Sequence, residues 1–333
     1  MDDKNYSISV IRLIAMLMII FCHILQGLNN TWAFWVNIGV QIFFFVSGFL
    51  YGKKEIKSKR DFYKKRIVKI LTPYLIGLTV GLFLDVFLLK DTLSVKSIVG
   101  CYLGLGAFAN NMPILSHTWF VSYILLCYMI VPVLQVVFSQ NKFVNNFLLF
   151  LLFICIIQLF QIYHVINIEA CWINNFIFGY FYGKCCNEQK EERIFNSFVI
   201  LSSIIMVPLA IIYQENIAIK LLAFLNNYSN IIMNYGHVLL GTVIFIILYK
   251  ILNHLKIENN ALLKFSDKYS YYIYLVHQIF ILYSFSVLFL TKYLWFNIIL
   301  IFIFSIISAV ILKLLSDLLI KAANKYLFAT ESN

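Results

Sequence analysis

The sequence predicts an all-α fold, a polytopic membrane bundle of about ten transmembrane helices. Three observations predict it: hydrophobic residues make up 62% of the 333 positions, charged residues only 12%, and the mean hydropathy is +0.86. A soluble domain carries about 25% charged residues to cover its surface. This chain has about half of that charged fraction, so much of its surface is expected to face lipid.

The apolar runs reach the roughly 20 residues that a helix needs to cross a bilayer. The sixth run is short for a span, and the glycine-rich stretch 95–115 is interpreted as a short helix or a re-entrant loop. No hydrophilic linker separates the runs, so residues 1–333 are predicted to form a single membrane domain. The ten predicted spans are 8–28, 32–51, 70–89, 118–138, 144–163, 170–183, 196–213, 231–250, 270–290 and 293–319.

The chain is basic, with a formal net charge of +11. Its Lys and Arg residues cluster between the apolar runs, nine of them in segment 53–69. This is the positive-inside pattern of a membrane protein, and it argues against a nucleic-acid partner. It predicts a multi-pass protein of the plasma membrane with both termini cytoplasmic. The first apolar run continues to about Leu28 without a small-residue cleavage site, so it is predicted to be a retained span.

Motifs of soluble enzymes are absent from the sequence: there is no Walker loop, dinucleotide fingerprint, HExxH, CxxC or GxSxG. The seven cysteines are scattered, mostly within apolar runs, and show no metal-ligand spacing. No metal is therefore predicted, and the chemistry is expected to use groups within the bundle.

Two ionisable residues, Arg12 and His23, lie in the first predicted span. They are eleven positions apart, about three helical turns or about 16 Å along the axis, so both point to one stripe of the helix. Ionisable residues inside spans usually face a cavity and are functional candidates. The alternatives are that Arg12 is an anchor that snorkels to the interface and that His23 makes a structural bond between helices.

Three further polar residues fall in or beside predicted spans. Asp85 lies at a depth comparable to His23 and is a candidate to orient its imidazole, or it is an interfacial carboxylate. His277 is a candidate for a polar pocket or for a structural hydrogen bond. His117 is a candidate for a functional role or for an interfacial one. At the start of the third span, Lys65, Arg66 and Lys69 share one helix side, which suits either phosphate binding or contact with anionic lipid.

Six ordered segments resemble the integral-membrane acyltransferase 3 family. Arg12 and His23 match its first-span signature, an Arg and a His separated by ten intervening residues. The chain departs from many relatives at Lys69, where they carry a second Arg, so the charge is kept without the bidentate fork. The matching segments are RLIAMLMIIFCH with Arg12 and His23, QIFFFVSGFLYG with Phe44, Ser47, Gly48 and Phe49, FYKKRIVKILTPY with Arg66, Lys69, Pro73 and Tyr74, HTWFVSYILLCYMIVP with Trp119, Tyr128 and Pro132, FIFGYFYGK, and SYYIYLVHQ with Tyr274, Leu275 and His277.

The resemblance implies transfer of an acyl group, usually acetyl, from cytoplasmic acyl-CoA to a hydroxyl of an extracytoplasmic or membrane-bound glycan. A basic cytoplasmic mouth suits the anionic donor, and an imidazole, with an ordinary pKa of about 6.5, suits removal of the hydroxyl proton. The predicted site has three parts. The catalytic residues are His23 as general base and Arg12, the acyl-CoA-binding residues are Arg66, Lys69 and Lys65, and the substrate pocket contains Ser47, Asp85, Trp119, Tyr274 and His277.

Two other classes of function fit the same polar residues. A transporter or exporter of a small polar metabolite or acylated sugar would line a path with them, although no span shows paired Gly or Pro interruptions. A scaffold subunit with glycan-synthesis partners would tolerate substitutions at Arg12 and His23 that keep the packing.

Overall fold

The structure is a computed structural model that describes residues 5–88, 90, 93–109, 113–139, 142–164, 168–217 and 225–328. Helices dominate these residues, and no strand occurs among them. In chain order the α-helices are α1 Tyr6–Gly27, α2 Ala33–Val36, α3 Ile38–Gly52, α4 Lys59–Phe83, α5 Val95–Tyr102, α6 Trp119–Val137, α7 Phe143–Ile162, α8 Ala170–Cys185, α9 Gln189–Gln214, α10 Ser229–His254, α11 Ala261–Val276 and α12 Leu294–Phe328.

Within the described part of the chain, eight helices are long and apolar enough to cross a membrane. The polytopic helical bundle is thereby confirmed, and two of the ten predicted spans fall outside the eight. The sixth corresponds to α8, which has only 16 residues. The eight are Tyr6–Gly27, Ala33–Gly52, Lys59–Phe87, Leu115–Val137, Phe143–Ile162, Gln189–Gln214, Leu225–His254 and Leu294–Ala323.

The prediction of a continuous ninth span over 270–290 is wrong. Helix α11 ends at Val276, and a single 3₁₀ turn, His277–Phe280, follows it. Turns and bends lead from there to α12. Segment 270–290 contains no glycine or proline, so its sequence does not reveal that the helix is interrupted. Stretch 95–115 agrees with the short-helix option, since it contains α5 and the 3₁₀ turn Gly106–Phe108.

Apolar side chains cover the outward faces of several long helices. On α9, Leu201, Ile204 and Ile205 are each 63% exposed, and on α12 Leu318 is also 63% exposed. Apolar surface of this extent is unfavourable in water and suits contact with lipid tails.

The chain divides into two compact units built from alternating segments. The first comprises Met1–Ile19, Phe34–Lys57 and Ile130–Leu263, and the second comprises Ile20–Ala33, Ser58–Met129 and Lys264–Asn333. Whether residues 1–333 act as a single domain stays a prediction.

In the first unit, α3 packs on α8 at backbone contact. A Cβ atom added to Gly48 would lie 1.9 Å from the carbonyl oxygen of Phe176, and one added to Gly179 would lie 2.0 Å from that of Phe45. Only glycine allows this approach, which explains the glycine of the SGF segment. All residues of α8 except Lys184 are buried.

In the second unit, α4 packs along α12 and is tied to its other neighbours by tyrosine hydroxyls. Tyr74 donates to the carbonyl of Cys101 at 2.9 Å, and Tyr271 donates to that of Ile70 at 3.0 Å. The predicted basic loop 53–69 is a loop only as far as Ser58, whose hydroxyl accepts from the backbone N–H of Asp61 and caps α4.

Candidate active site

Three histidines meet in the second unit, each at the end of a helix or just beyond one. His23 lies in the last turns of α1, and His117 lies in the 3₁₀ turn Pro113–Thr118 directly before α6. His277 is the first residue after α11, where the helix tightens into its 3₁₀ turn. Chain irregularities at His117 and His277 thus bring two imidazoles beside the third.

The three imidazole rings form one cluster. The ring centre of His277 lies 5.2 Å from that of His23 and 5.3 Å from that of His117, and His23 and His117 are 6.3 Å apart. His277 and His117 are buried, with 0% and 3% of their surface exposed, whereas His23 is half-buried. Among the described residues, no group of three or more His, Cys, Asp or Glu side chains is arranged to hold a metal ion.

Gln278 connects two of the imidazoles. Its Oε1 atom accepts from the backbone N–H of His117 at 3.2 Å, from Nδ1 of His117 at 2.6 Å and from the hydroxyl of Ser116 at 3.3 Å. A backbone N–H can only donate, so the oxygen of the carboxamide must face His117. The amide nitrogen therefore faces His23, whose Nδ1 lies 3.4 Å away.

These bonds determine which nitrogen of each buried ring carries the proton. Nδ1 of His117 donates to the Gln278 oxygen, and Nδ1 of His277 donates to the carbonyls of Tyr274 at 2.8 Å and Ile273 at 3.2 Å. In the neutral ring Nε2 is then the acceptor. Both Nε2 atoms are buried and have no hydrogen-bond partner in the described structure.

The imidazole of His23 is oriented by its own helix. Its Nδ1 lies 2.7 Å from Oε1 of Gln26, one turn later on α1. When Nδ1 donates to this oxygen it cannot also accept from the Gln278 amide nitrogen, so the 3.4 Å approach of Gln278 is a contact and Nε2 of His23 carries the lone pair.

A shell of hydroxyl groups surrounds the cluster. The hydroxyl of Tyr274 donates to the carbonyl of His117, and the hydroxyls of Ser116 and Tyr283 are 2.5 Å apart. Tyr283 has a φ of +70°, a left-handed conformation that costs a non-glycine residue about 1–3 kcal/mol. The loop after the 3₁₀ turn thus holds Tyr283 against the cluster.

The sequence model of a family described as an acyltransferase domain matches residues 5–315, nearly the whole chain. The chain belongs to the acyltransferase 3 family. The resemblance inferred from the six segments is confirmed. No curated protein and no solved structure matches this acyltransferase.

Of the residues predicted for the site of the acyltransferase, the second unit brings together His23, His277 and Tyr274. Trp119 lies two residues after His117, and its ring contacts Tyr123 at 5.8 Å. Asp85 is buried in the π-helical turn Leu84–Leu88. The residues that face Nδ1 of His23 are Gln26 and Gln278, and the role of Asp85 in orienting the imidazole stays a prediction.

The predicted donor-binding residues of the acyltransferase lie on α4, also in the second unit. Arg66 is half-buried, and its guanidinium lies 5.9 Å from the ring centre of Tyr128. Lys65 and Lys69 are exposed one turn apart. The basic cluster therefore presents two exposed lysine side chains and one guanidinium beside an aromatic ring.

Two predicted residues belong to the first unit. Arg12 is half-buried on α1, the helix that also carries His23, and Ser47 is half-buried on α3 next to Gly48. Their roles in the acyltransferase stay predictions.

Five residues around the cluster were not in the predicted site. For His117 the sequence leaves an interfacial role open, and its position two residues before Trp119 is the available signal. Gln26 is three positions after His23, a spacing at which helical side chains meet. The sequence contained no comparable signal for the other three, which are Ser116, Gln278 and Tyr283.

Proposed function

We propose that this acyltransferase moves an acyl group, with acetyl as the first candidate, from acyl-CoA at the cytoplasmic face to a hydroxyl of a cell-surface or lipid-linked glycan. The observation that carries the proposal is the oriented His23 imidazole, whose Nδ1 is held by Gln26 at the edge of the buried cluster. Membership of the acyltransferase family supports the reaction class.

The reaction needs a base because a neutral hydroxyl is a poor nucleophile. In the proposed step, Nε2 of His23 takes the acceptor proton while the acceptor oxygen attacks the thioester carbonyl. The C–S bond then breaks, the ester forms, and the CoA sulfur leaves as a thiolate that takes up the proton held by His23. Direct transfer is preferred to an acyl-histidine intermediate, because it uses the lone pair as a base only.

The donor is proposed to bind by its phosphates to Arg66, Lys69 and Lys65, with Arg12 placing the thioester or stabilising the developing oxyanion. Arg66 supports this assignment because its ring contact with Tyr128 holds the guanidinium in a defined position. Ser47, Asp85, Trp119, Tyr274 and His277 are proposed to line the acceptor pocket.

The test compares the wild type with His23→Ala and His23→Gln. Mass spectrometry of surface glycans from cells that carry each form, or lack the protein, measures the acetyl content. Both variants are expected to accumulate in the membrane at wild-type level and to lose acylation by about 100-fold or more. Normal acylation by either variant would remove His23 as the base.

A transporter of a small polar metabolite or acylated sugar is a second candidate, favoured by the interruption of α11 at Val276. Interrupted helices supply freed backbone groups to binding sites in many transporters. Proteoliposomes with labelled acetyl-CoA outside and glycan inside separate the two functions. An acylated glycan supports the enzyme, and movement of unchanged substrate supports the transporter.

A further inference from the structure

We propose that Nε2 of His117 and Nε2 of His277 form a second acceptor subsite, which receives hydrogen bonds from hydroxyl groups flanking the one that reacts. This inference rests on the proposed function and deepens it. It assigns to two buried histidines the recognition of a polyol, and it makes them residues that determine acceptor specificity.

The first step in the argument is the direction of the two nitrogens' hydrogen bonding. Gln278 occupies Nδ1 of His117, and two backbone carbonyls occupy Nδ1 of His277, so each Nε2 can only accept. A ligand that satisfies them must therefore donate.

The second step is burial. Both atoms are shielded from solvent and have no hydrogen-bond partner in the described structure. A buried polar atom without a partner destabilises a fold, and such atoms mark functional sites when a ligand supplies the bond. Two of them lie on adjacent rings, 5.3 Å apart, beside the proposed base His23.

The third step is the number of donors that the ligand must supply. A hydroxyl donates one hydrogen bond, and the hydroxyl that reacts gives its proton to His23. The nitrogens of His117 and His277 need further donors, so a simple alcohol leaves both unsatisfied. A sugar, with hydroxyls on neighbouring carbons, supplies them from one molecule.

The fourth step concerns charge. The side chains that contact the ring nitrogens of the three histidines are the carboxamides of Gln26 and Gln278, and no carboxylate of a described residue bonds to these rings. A cationic donor such as an ammonium group would be buried without a counter-charge, which is costly. The arrangement favours neutral O–H donors.

The catalytic test uses acetyl-CoA with two probe acceptors, cis-1,2-cyclohexanediol and cyclohexanol, and purified protein in proteoliposomes. The products are quantified as monoacetate esters. Wild type is expected to acylate the diol with a kcat/KM at least about tenfold higher, because a site built for a hydroxyl rejects an analogue that lacks it. Equal values for the two probes would overturn the subsite.

Variants separate recognition from structural support. His117→Asn keeps an amide donor near the Nδ1 position and removes the Nε2 acceptor, so it should lower the ratio of kcat/KM for the diol to kcat/KM for cyclohexanol. His117→Gln keeps an acceptor near the Nε2 position and should retain part of the preference. The matched control is His237→Asn, a buried histidine of the first unit that packs on Phe34 and should keep the full preference.

A binding measurement distinguishes failure of the subsite from failure of the proposed function. Protein labelled with ¹⁵N-histidine is titrated with the diol in detergent micelles, and the Nε2 signals of His117 and His277 are assigned from the His117→Asn and His277→Asn variants. Shifts of these signals without any acyl transfer would retain the subsite and reject the reaction. Unshifted signals, or a stoichiometric divalent cation bound to these nitrogens, would overturn the subsite whatever the activity.

Discussion

Nδ1 of His23 lies 2.7 Å from Oε1 of Gln26, so the proposed base is held by a residue one turn away on its own helix. A neutral oxygen in this place orients the ring and leaves Nε2 as the acceptor without introducing a charge. In other enzymes, a carboxylate bonded to Nδ1 fixes the tautomer and the orientation of the catalytic histidine in the same way.

Gln26→Leu removes the oxygen and is expected to lower kcat about tenfold or more, with the KM for acyl-CoA unchanged, because the ring loses its orientation. Gln26→Glu keeps an oxygen at the same place and should retain most of the activity. Steady-state kinetics of both variants in proteoliposomes check this. A Gln26→Leu enzyme with wild-type kcat would show that the contact does not position the base.

Arg66 is expected to contribute to donor affinity through its held guanidinium. Arg66→Ala should raise the KM for acyl-CoA about tenfold, and Arg66→Lys should recover only part of the loss, since an ammonium lacks the planar fork and stacks poorly. Arg60→Ala, an exposed arginine at the start of α4, is the control and should leave KM unchanged. Equal effects of Arg66→Ala and Arg60→Ala would indicate a general charge effect.

Gly48 is expected to be indispensable for the stability of the first unit. Gly48→Ala places a methyl group 1.9 Å from a backbone oxygen of α8, which cannot move alone, so the free energy of unfolding should fall by about 2 kcal/mol or more. Gly77→Ala is the control, because its added Cβ would meet only Leu312 Cδ2 at 4.0 Å, and alanine favours the helix by about 1 kcal/mol. Thermal denaturation in detergent measures both, and a similar melting temperature for the two variants would contradict the close contact.

The orientation of the chain in the membrane is open to labelling. In a background with Cys155 and Cys186 replaced by Ser, Lys57→Cys should react with a membrane-impermeant maleimide only after the cells are permeabilised, because the positive-inside pattern predicts a cytoplasmic segment 53–58. Lys96→Cys, exposed on α5, should react in intact cells. The reverse pattern would invert the predicted topology.

The sequence alone was sufficient for the class of protein and the family, and it named His23, His277 and Tyr274, which the structure brings together. These features are visible in the sequence because each involves residues that are close together along the chain. They are the apolar runs of membrane length, the spacing of Arg12 and His23, and the segment around His277. The sequence shows the glycines of α3 and α8 as parts of motifs. It does not show why glycine is needed there, which is the backbone contact between the two helices.

Tertiary structure decided which histidines meet and which nitrogens are free to accept. The contacts of Gln278 reach residues 161 and 255 positions away, and helical periodicity contains no information about which helices become neighbours. The end of α11 at Val276 was equally hidden, since neither α11 nor the 3₁₀ turn after it contains a Gly or Pro. The freed carbonyls of Ile273 and Tyr274 accept from the imidazole instead, so packing and long-range hydrogen bonds, rather than local propensity, build the cluster.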